Sequence, residues 1–373
     1  MDVVIVGAGT FGASLAWRLA RSGERVTLVD QFEPGDRRAT SGGETRLIRC
    51  AHGDDGDYTA MARLARTLWR ELEAETGEDL LVECGMAWFA HGEAGWEADS
   101  MRRMAAQEIP VERLDPEAAQ RLYPSLGVDD LAWILYEPEA GVLRAQRAVR
   151  ALTRAAQVHG TTLVRGRATP LEDGGAQLDD GARLHGDAVV WACGGWLGGL
   201  FGELAAVRVT CQELVFLDGG AAWAQPGLPG WVDYDRAMYG TADLDGLGVK
   251  VALDTEGPPL GPDDELPAGG RTEPGVRAYV AERFPALAGA PLKEIRTCRY
   301  ELSPDSNFIA APHPERPGTW LLGGGSGHGF KHGPAMAERV AAALRGEQRL
   351  PARFAAGARV AGRSLRTAGS GAA

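Results

Sequence analysis

The chain carries 36 arginines and only three lysines, Lys250, Lys293 and Lys331. Together with 51 glycines and many alanines, this imbalance points to a coding bias that replaces lysine by arginine wherever either cation serves. A surviving lysine then marks a place that needs a compact ammonium with a tunable pKa rather than a planar fork. Arg46 and Arg49, in Thr45-Arg46-Leu47-Ile48-Arg49, either decorate a surface element or grip an anion. Two glycine-rich turns supply further chemistry. Gly7-Ala8-Gly9-Thr10-Phe11-Gly12 follows an apolar run that begins at Asp2, and Gly323-Gly324-Gly325-Ser326-Gly327-His328-Gly329-Phe330-Lys331 follows another that begins at Thr319. In the first turn one glycine permits the bend, the next admits a pyrophosphate to the backbone, and the third lets helix and strand pack closely. Asp30, 23 residues after Gly7, stands where an acid accepts ribose hydroxyls.

These residues need elements to hold them. A helix over Ala13 to Arg21, between apolar runs at Asp2 to Val6 and Arg25 to Val29, makes a nucleotide-binding βαβ unit whose helix N-terminus faces phosphate. Leu64, Leu68 and Leu72 recur every fourth residue, so Tyr58 to Glu75 reads as an amphipathic helix. Leu80 to Ala90 reads as a strand leaving the nucleotide domain, Trp96 to Leu122 as helices, and Ala132 to Tyr136 as a strand. Ala145 to Gln157 reads as a helix and Thr161 to Val164 as a strand. Asp187 to Ala192 is a buried strand ending in Cys193-Gly194-Gly195-Trp196, a place for a second backbone contact to a nucleotide. Residues 207 to 300 alternate apolar and polar character around Pro and Gly turns, which fits an antiparallel sheet; 257 to 270 is a loop. Pro334 to Leu344 is the last helix. The expected fold is α/β (α+β overall), with a Rossmann-like dinucleotide domain from 1–80, 143–206 and 303–355. Interleaved with it is a substrate domain on a mostly antiparallel sheet, from 81–142 and 207–302. Residues 356–373, poor in apolar residues other than alanine, are expected to form a loosely held tail.

Composition excludes several classes. A net charge of −12 without a basic tract argues against nucleic acid. No stretch approaches the roughly 18 uninterrupted apolar residues that span a bilayer. With a strand beginning near residue 3 and no signal peptide before it, a cytoplasmic protein is expected. Five scattered cysteines without CxxC spacing argue against a disulfide framework and a zinc site, and no metal is expected.

The segments VVIVGAGTFG, TRLIR, VVWACGGW, TCRYELSPDSNF and LLGGGSGHGFKHG together resemble those of flavin-dependent amine oxidases of the D-amino-acid oxidase superfamily. The group they are most similar to is that of monomeric sarcosine oxidase and N-methyltryptophan oxidase. They occur in the family's order over nearly the whole chain. The last two are specific, whereas the first fits any dinucleotide-binding protein. The resemblance implies an FAD domain roofed by the antiparallel sheet of a substrate domain. It implies FAD contacts from Gly7, Gly9, Thr10, Phe11 and Gly12, from Asp30, Gln31, Thr40, Ser41 and Arg46, and from Val164, Cys193, Gly194 and Trp196. Gly325, Gly327, His328, Gly329, Phe330 and Lys331 of the late turn complete that set. Cys298 matches the cysteine that bonds covalently to the flavin ring.

By the same resemblance, Arg49 matches the arginine holding the substrate carboxylate, and Lys331 the lysine that shares this role. Lys250 matches the lysine that promotes reaction of reduced flavin with oxygen, where a fixed cation stabilises developing negative charge. Tyr239 matches an active-site tyrosine on the substrate sheet, and His328 a histidine facing the flavin. Lys293 matches nothing and defaults to the surface. Two departures alter the pocket. Asp254 replaces a histidine of sarcosine oxidases, and Ser41-Gly42 replaces a histidine pair. Asp254 is therefore expected to face the substrate nitrogen and to favour a secondary, even cyclic, amino acid. The implied reaction is FAD-dependent oxidation of the C–N bond of a carboxylate-bearing amino acid to an imine, with oxygen reduced to hydrogen peroxide, by a monomer. The alternatives are a dehydrogenase of the same fold using another acceptor, and a flavin-binding protein without turnover. A nicotinamide-dependent dehydrogenase accounts less well for the late flavin-type turn.

Overall fold

The strand β1 (Asp2–Val6) buries Val3, Val4, Ile5 and Val6 on both of its faces, as a central parallel strand does. In the computed structural model, which describes residues 1–362, 364–366 and 368, it pairs in parallel with β2 (Arg25–Asp30) and with Ala188–Trp191. Beyond β2 lies Thr162–Arg165, and beyond Ala188–Trp191 lies Thr319–Gly323; both pairings are parallel. Only the edge strand Ile309–Pro312 runs antiparallel, so the six-stranded sheet is doubly wound about β1. The helix α1 (Thr10–Arg21) links β1 to β2 and begins three residues earlier than the expected Ala13, with Gly9 at its N-cap. Its N-cap residue supplies no capping side chain and no acid sits in its first turn. Its positive end therefore opens into the crevice where strand order reverses, the place such sheets bind ligands.

Two glycines make that geometry possible. Gly7 has φ +110°, and a Cβ there would lie 2.3 Å from the Ala192 carbonyl oxygen. A Cβ on Gly12 would lie 1.8 Å from the Gly7 carbonyl oxygen. Backbone cannot yield as a flexible side chain can, so Gly12→Ala is expected to destabilise by about 3 kcal/mol or more. A fall in the urea unfolding midpoint at unchanged m-value checks this; an unaltered midpoint would contradict it.

A second sheet of eight strands lies over the carboxyl end of the first. Its order is Leu292–Leu302, Arg208–Leu217, Val249–Leu253, Met238–Thr241, Gly230–Asp233, Met86–Ala90, Trp133–Glu137 and Glu112–Leu114. All pairs are antiparallel except Gly230–Asp233 with Met86–Ala90. A small antiparallel sheet joins β3 (Thr45–Ile48), Gly141–Arg144 and Leu81–Val82. The helix α2 (Gly56–Thr76) begins at Asp55, whose carboxylate accepts the Tyr58 N–H. Among the described residues no helix is long and apolar enough to cross a membrane.

Four expectations need correction. Leu80 to Ala90 is two strands broken at Gly85, whose φ is +83°. Residues 96–122 include the strand Glu112–Leu114 between their helices. The 207–300 region contains a helix, Glu273–Arg283, whose buried face is Val276, Tyr279, Val280 and Arg283. An arginine at the fourth position of that stripe hides the helical period. Arg283 is nevertheless fully buried, bonded to Asp130 (2.7 Å) and to the Gly127 carbonyl (2.5 Å). Finally, the tail is not loosely held at Ser364–Arg366, where Ser364 and Arg366 are buried. Residues 363, 367 and 369–373 of that tail lie outside the described residues.

Candidate active site

The crevice at the N-terminus of α1 is open to solvent and holds about 1130 Å³ of empty space. Its lining includes Gly7, Gly9, Thr10, Phe11, Asp30, Gln31, Thr40, Ser41 and Arg46. Cys193, Gly194, Trp196, Gly325, Gly327, Gly329 and Phe330 also line it. The Asp30 carboxylate accepts the N–H groups of Ala8 (2.6 Å) and Phe32 (2.7 Å), tying the glycine turn to the end of β2. Burial pushes the Asp30 pKa up. Ser41 Oγ accepts the Thr10 N–H at 2.9 Å.

A second cavity of about 610 Å³ adjoins it, sharing Arg46, Tyr300, Gly327 and Phe330. Around this smaller pocket stand Arg49, Tyr239, Lys250, Asp254, His328, Lys331 and Arg366. β3 and the residues after it supply Arg46 and Arg49, the Val249–Leu253 strand supplies Lys250, and Asp254 follows directly. The late glycine turn supplies His328 and Lys331. Two of the three lysines thus meet at one pocket, both almost fully buried. Lys293 is exposed and donates to the Gly246 carbonyl (2.6 Å).

Each cation has a fixed seat. Arg46 donates to the carbonyls of Thr45 (2.9 Å), Thr40 (3.0 Å) and Gly42 (2.6 Å). Arg49 donates to the carbonyls of Ala51 and Leu365, the latter at 3.3 Å, and lies over the Trp88 ring at 5.0 Å. Beneath it, buried Glu137 accepts from the Cys50 N–H (2.6 Å) and from Trp88 Nε1 (2.8 Å). Burial lowers the Arg49 pKa to about 10, with Glu137 opposing the fall. Lys331 Nζ donates to the His328 carbonyl at 3.2 Å. Its pKa falls well below the ordinary range through burial first and Arg49 second, so an incoming carboxylate would draw its proton back. Lys250 Nζ donates to Thr45 Oγ1 (2.7 Å) and to the Thr45 carbonyl (3.3 Å). Burial and then Arg46 bring its pKa to about 7.

Behind the pocket, His52 and His332 join His328. Carbonyls accept from His328 Nε2 (Ser306, 2.9 Å) and from His52 Nδ1 (Cys50, 3.0 Å). The bare His52 Nε2 then accepts from His332 Nε2 at 3.3 Å. This assignment leaves Nδ1 of His328 and of His332 buried without a partner. Their candidate ligand atoms lie within 4.8 Å of one another, the one such cluster among the described residues. Burial, Arg49 and Lys331 hold all three imidazoles neutral. Arg49, which acts on all three, also opposes a metal dication.

Some expected contacts are placed differently. Gly12 lines neither cavity; it serves the packing of α1 on Gly7. Val164 is paired with Val29 inside the sheet, and Gly166, Arg167 and Ala168 line the crevice instead. His328 and Lys331 face the smaller pocket rather than the crevice. Cys298 lines neither cavity. It sits two residues before Tyr300, on the same strand face, against the Leu214, Phe216 and Ala252 cluster. Burial pushes its thiol to about 11, with Arg46 and Lys250 pulling it down. Asp254 faces the pocket but is ion-paired with Arg366 at 2.5 Å.

Sequence reasoning missed Tyr300, Glu301, Glu137 and Arg366. For the first two, the alternation of Thr297-Cys298-Arg299-Tyr300-Glu301 was an available signal; for Arg366 there was none.

Comparisons with known proteins bear on the family and the fold. A family model described as FAD dependent oxidoreductase matches residues 2–343. The chain is 28% identical over 354 residues to monomeric sarcosine oxidase of Bacillus sp. (strain B-0618), covering 90% of each protein. It is 28% identical over 351 residues to N-methyl-L-tryptophan oxidase of Salmonella dublin, covering 91% of this chain and 93% of that one. Among solved structures, iminodiacetate oxidase from Chelativorans sp. BNC1 superposes with a TM-score of 0.80 at 26% identity, covering 95% of this chain and 99% of that one. L-proline dehydrogenase from P. horikoshii shares the fold, with a TM-score of 0.83 at 20% identity, covering 95% of this chain and 96% of that one.

Proposed function

Because the chain belongs to the FAD-dependent oxidoreductase family, we propose that it oxidises the C–N bond of a carboxylate-bearing secondary amino acid to the imine, with oxygen reduced to hydrogen peroxide. The observation that supports this reading best is the junction of the two cavities at Arg46, Tyr300, Gly327 and Phe330, with Arg49 and Lys331 on the pocket side. Sarcosine, N-methyltryptophan and iminodiacetate, which the relatives' names specify, share a secondary amine one carbon from a carboxylate.

The crevice fits FAD on its own chemistry. The end of α1, whose N-cap Gly9 carries no side chain, suits a pyrophosphate. A Cβ on Gly9 would lie 3.1 Å from Ser41 Oγ, and one on Gly325 would lie 3.0 Å from Glu301 Oε1, so the bare backbone keeps the space clear. Glu301 Oε1 accepts the Gly325 N–H (2.8 Å), while its buried Oε2 has no partner and suits a hydroxyl or N–H of the cofactor. When bound, FAD accepts the hydride equivalent and passes electrons to oxygen.

The residues supply position and charge. Arg49 and Lys331 clamp the substrate carboxylate, an anion grip that charge-assisted bonds make strong. That grip turns the amine toward Asp254 and orients the reacting C–H. Arg49, Lys331 and Asp254 are themselves buried, and water displaced from among them by the substrate strengthens each contact. Lys250, held by Thr45, keeps a positive charge for the oxygen step. We also take the protein to be a cytoplasmic monomer.

Anaerobic addition of sarcosine, N-methyltryptophan, iminodiacetate or proline to purified protein tests the reading. Bleaching of the yellow colour by at least one of them, with colour and peroxide returning on admission of air, is expected. No bleaching by any would refute it. Recovery with a quinone dye but not with oxygen would favour the dehydrogenase alternative. Covalent attachment is tested separately. The acid-precipitated protein is expected to stay yellow, and Cys298→Ser to release its colour to the supernatant. A wild-type pellet that is white would rule the bond out.

A further inference from the structure

Past the last helix the chain turns back into the pocket. The Tyr234 hydroxyl donates to the Ser364 carbonyl at 3.1 Å, and the Ala368 N–H donates to the Tyr234 carbonyl at 3.0 Å. Between these ties, the Leu365 carbonyl accepts from Arg49 Nη2 at 3.3 Å. Arg366, 5% exposed, donates through Nη1 to Asp254 Oδ1 (2.5 Å) and to the Asp254 carbonyl (3.3 Å). Its guanidinium lies over the Tyr300 ring at 5.1 Å. Its Cδ occupies the space beside Gly327, where a Cβ would come within 2.5 Å. One short segment thus touches the carboxylate-gripping arginine, the acid opposite it and the glycine turn between the cavities.

We propose that this strap, Ser364–Arg366, is a wall of the substrate pocket, and that Arg366 is a positioning residue for recognition of the substrate amine. It keeps Asp254 ionised and aimed, so that the carboxylate accepts the N–H of a secondary amino acid, while Leu365 orients the Arg49 fork at the acid end. The inference rests on the amine-oxidation reading above. The physical reason is the cost of a lone buried carboxylate, which takes up a proton rather than remain charged. Besides Arg366, the titratable groups acting on Asp254 are Arg49, Tyr300, Tyr239 and Cys298. Only Arg49 among them is a cation, and it is committed to the substrate carboxylate. Burial already pushes the Asp254 pKa up and Arg366 is the first influence opposing that rise.

The test compares FAD-loaded wild type, Arg366→Met, Arg366→Lys and the double variant Asp254→Asn/Arg366→Met. In Arg366→Met, KM for the best secondary amino acid is expected to rise about tenfold or more, the worth of one hydrogen bond to a charged group, with a smaller change in kcat. Its kcat/KM should also lose activity as pH falls through the raised Asp254 pKa, because the ionised form exists only above it. Arg366→Lys should restore most of both, and the double variant should lose the acid limb. A readout without turnover separates this inference from the reading it rests on. Titrated by the visible spectrum of the bound flavin, glycine should bind Arg366→Met about tenfold more weakly while acetate, which has no amine, is much less affected. Equal losses for glycine and acetate would overturn the inference. An acid limb that persists in the double variant, or an Arg366→Met enzyme indistinguishable from wild type, would also overturn it.

Discussion

Arg49→Met is expected to lower kcat/KM for carboxylate-bearing amines by roughly 30- to 4000-fold, the effect of truncating one partner of a buried charge pair at about 2–5 kcal/mol. Arg49 is 7% exposed, and the carbonyls of Ala51 and Leu365 fix its fork. Without it the substrate carboxylate enters a dry pocket beside Lys331, whose proton is already weakly held. Burial already raises the Glu137 pKa against the Cys50 N–H, Trp88 and Arg49, so the variant, lacking the last of these, should raise it further. The loss should fall on substrates with a free carboxylate. The corresponding amides, poor for wild type, should lose little further. Steady-state kinetics on acid–amide pairs decides the matter, and equal losses for both would show that Arg49 shapes the pocket without gripping the acid.

Lys250→Met is expected to leave anaerobic reduction by substrate within a few-fold of wild type. Reaction of the reduced enzyme with oxygen should slow by about 10²–10³, the scale for loss of one preorganised charge-stabilising group. Thr45 holds the ammonium by two bonds, 2.7 and 3.3 Å long, and the Tyr239 ring lies 5.5 Å away, so this charge needs no rearrangement to act. The sign of the pH effect follows from a pKa brought down to about 7. The protonated, active form is complete below that value and is lost as pH rises through it. An anionic reduced cofactor beside the ammonium would carry the fall upward, toward the ordinary lysine value of 10.5. Stopped-flow reoxidation from pH 6 upward should therefore slow in wild type and not in the variant. A variant reoxidising at the wild-type rate would assign the oxygen step elsewhere.

Local chemistry was legible in the chain itself. The first glycine turn needs a residue without a Cβ at Gly7 and Gly12 because backbone approaches within 2.3 and 1.8 Å of where it would stand. Such a demand leaves its mark at fixed spacing, next to the strand and helix that impose it. The lysine scarcity has a related physical reason. Lys250 and Lys331 are buried where ammonium pKa values are pulled down, a service a guanidinium performs poorly. The helix Glu273–Arg283 escaped because Arg283, satisfied by Asp130 and Gly127 from distant loops, breaks the apolar period.

What residue types and spacing determined was the nucleotide crevice, the alternation of sheets and the identity of most cations around the pocket, since turns, periods and caps are short-range properties. What only the tertiary structure decided was how those charges are paired. Glu137 lies under Trp88 and Arg49, Glu301 meets the late glycine turn, and Arg366 reaches Asp254 across 112 residues of chain. Partners so far apart in sequence acquire their ionisation state from burial and from one another, and both exist only once the chain has closed around them.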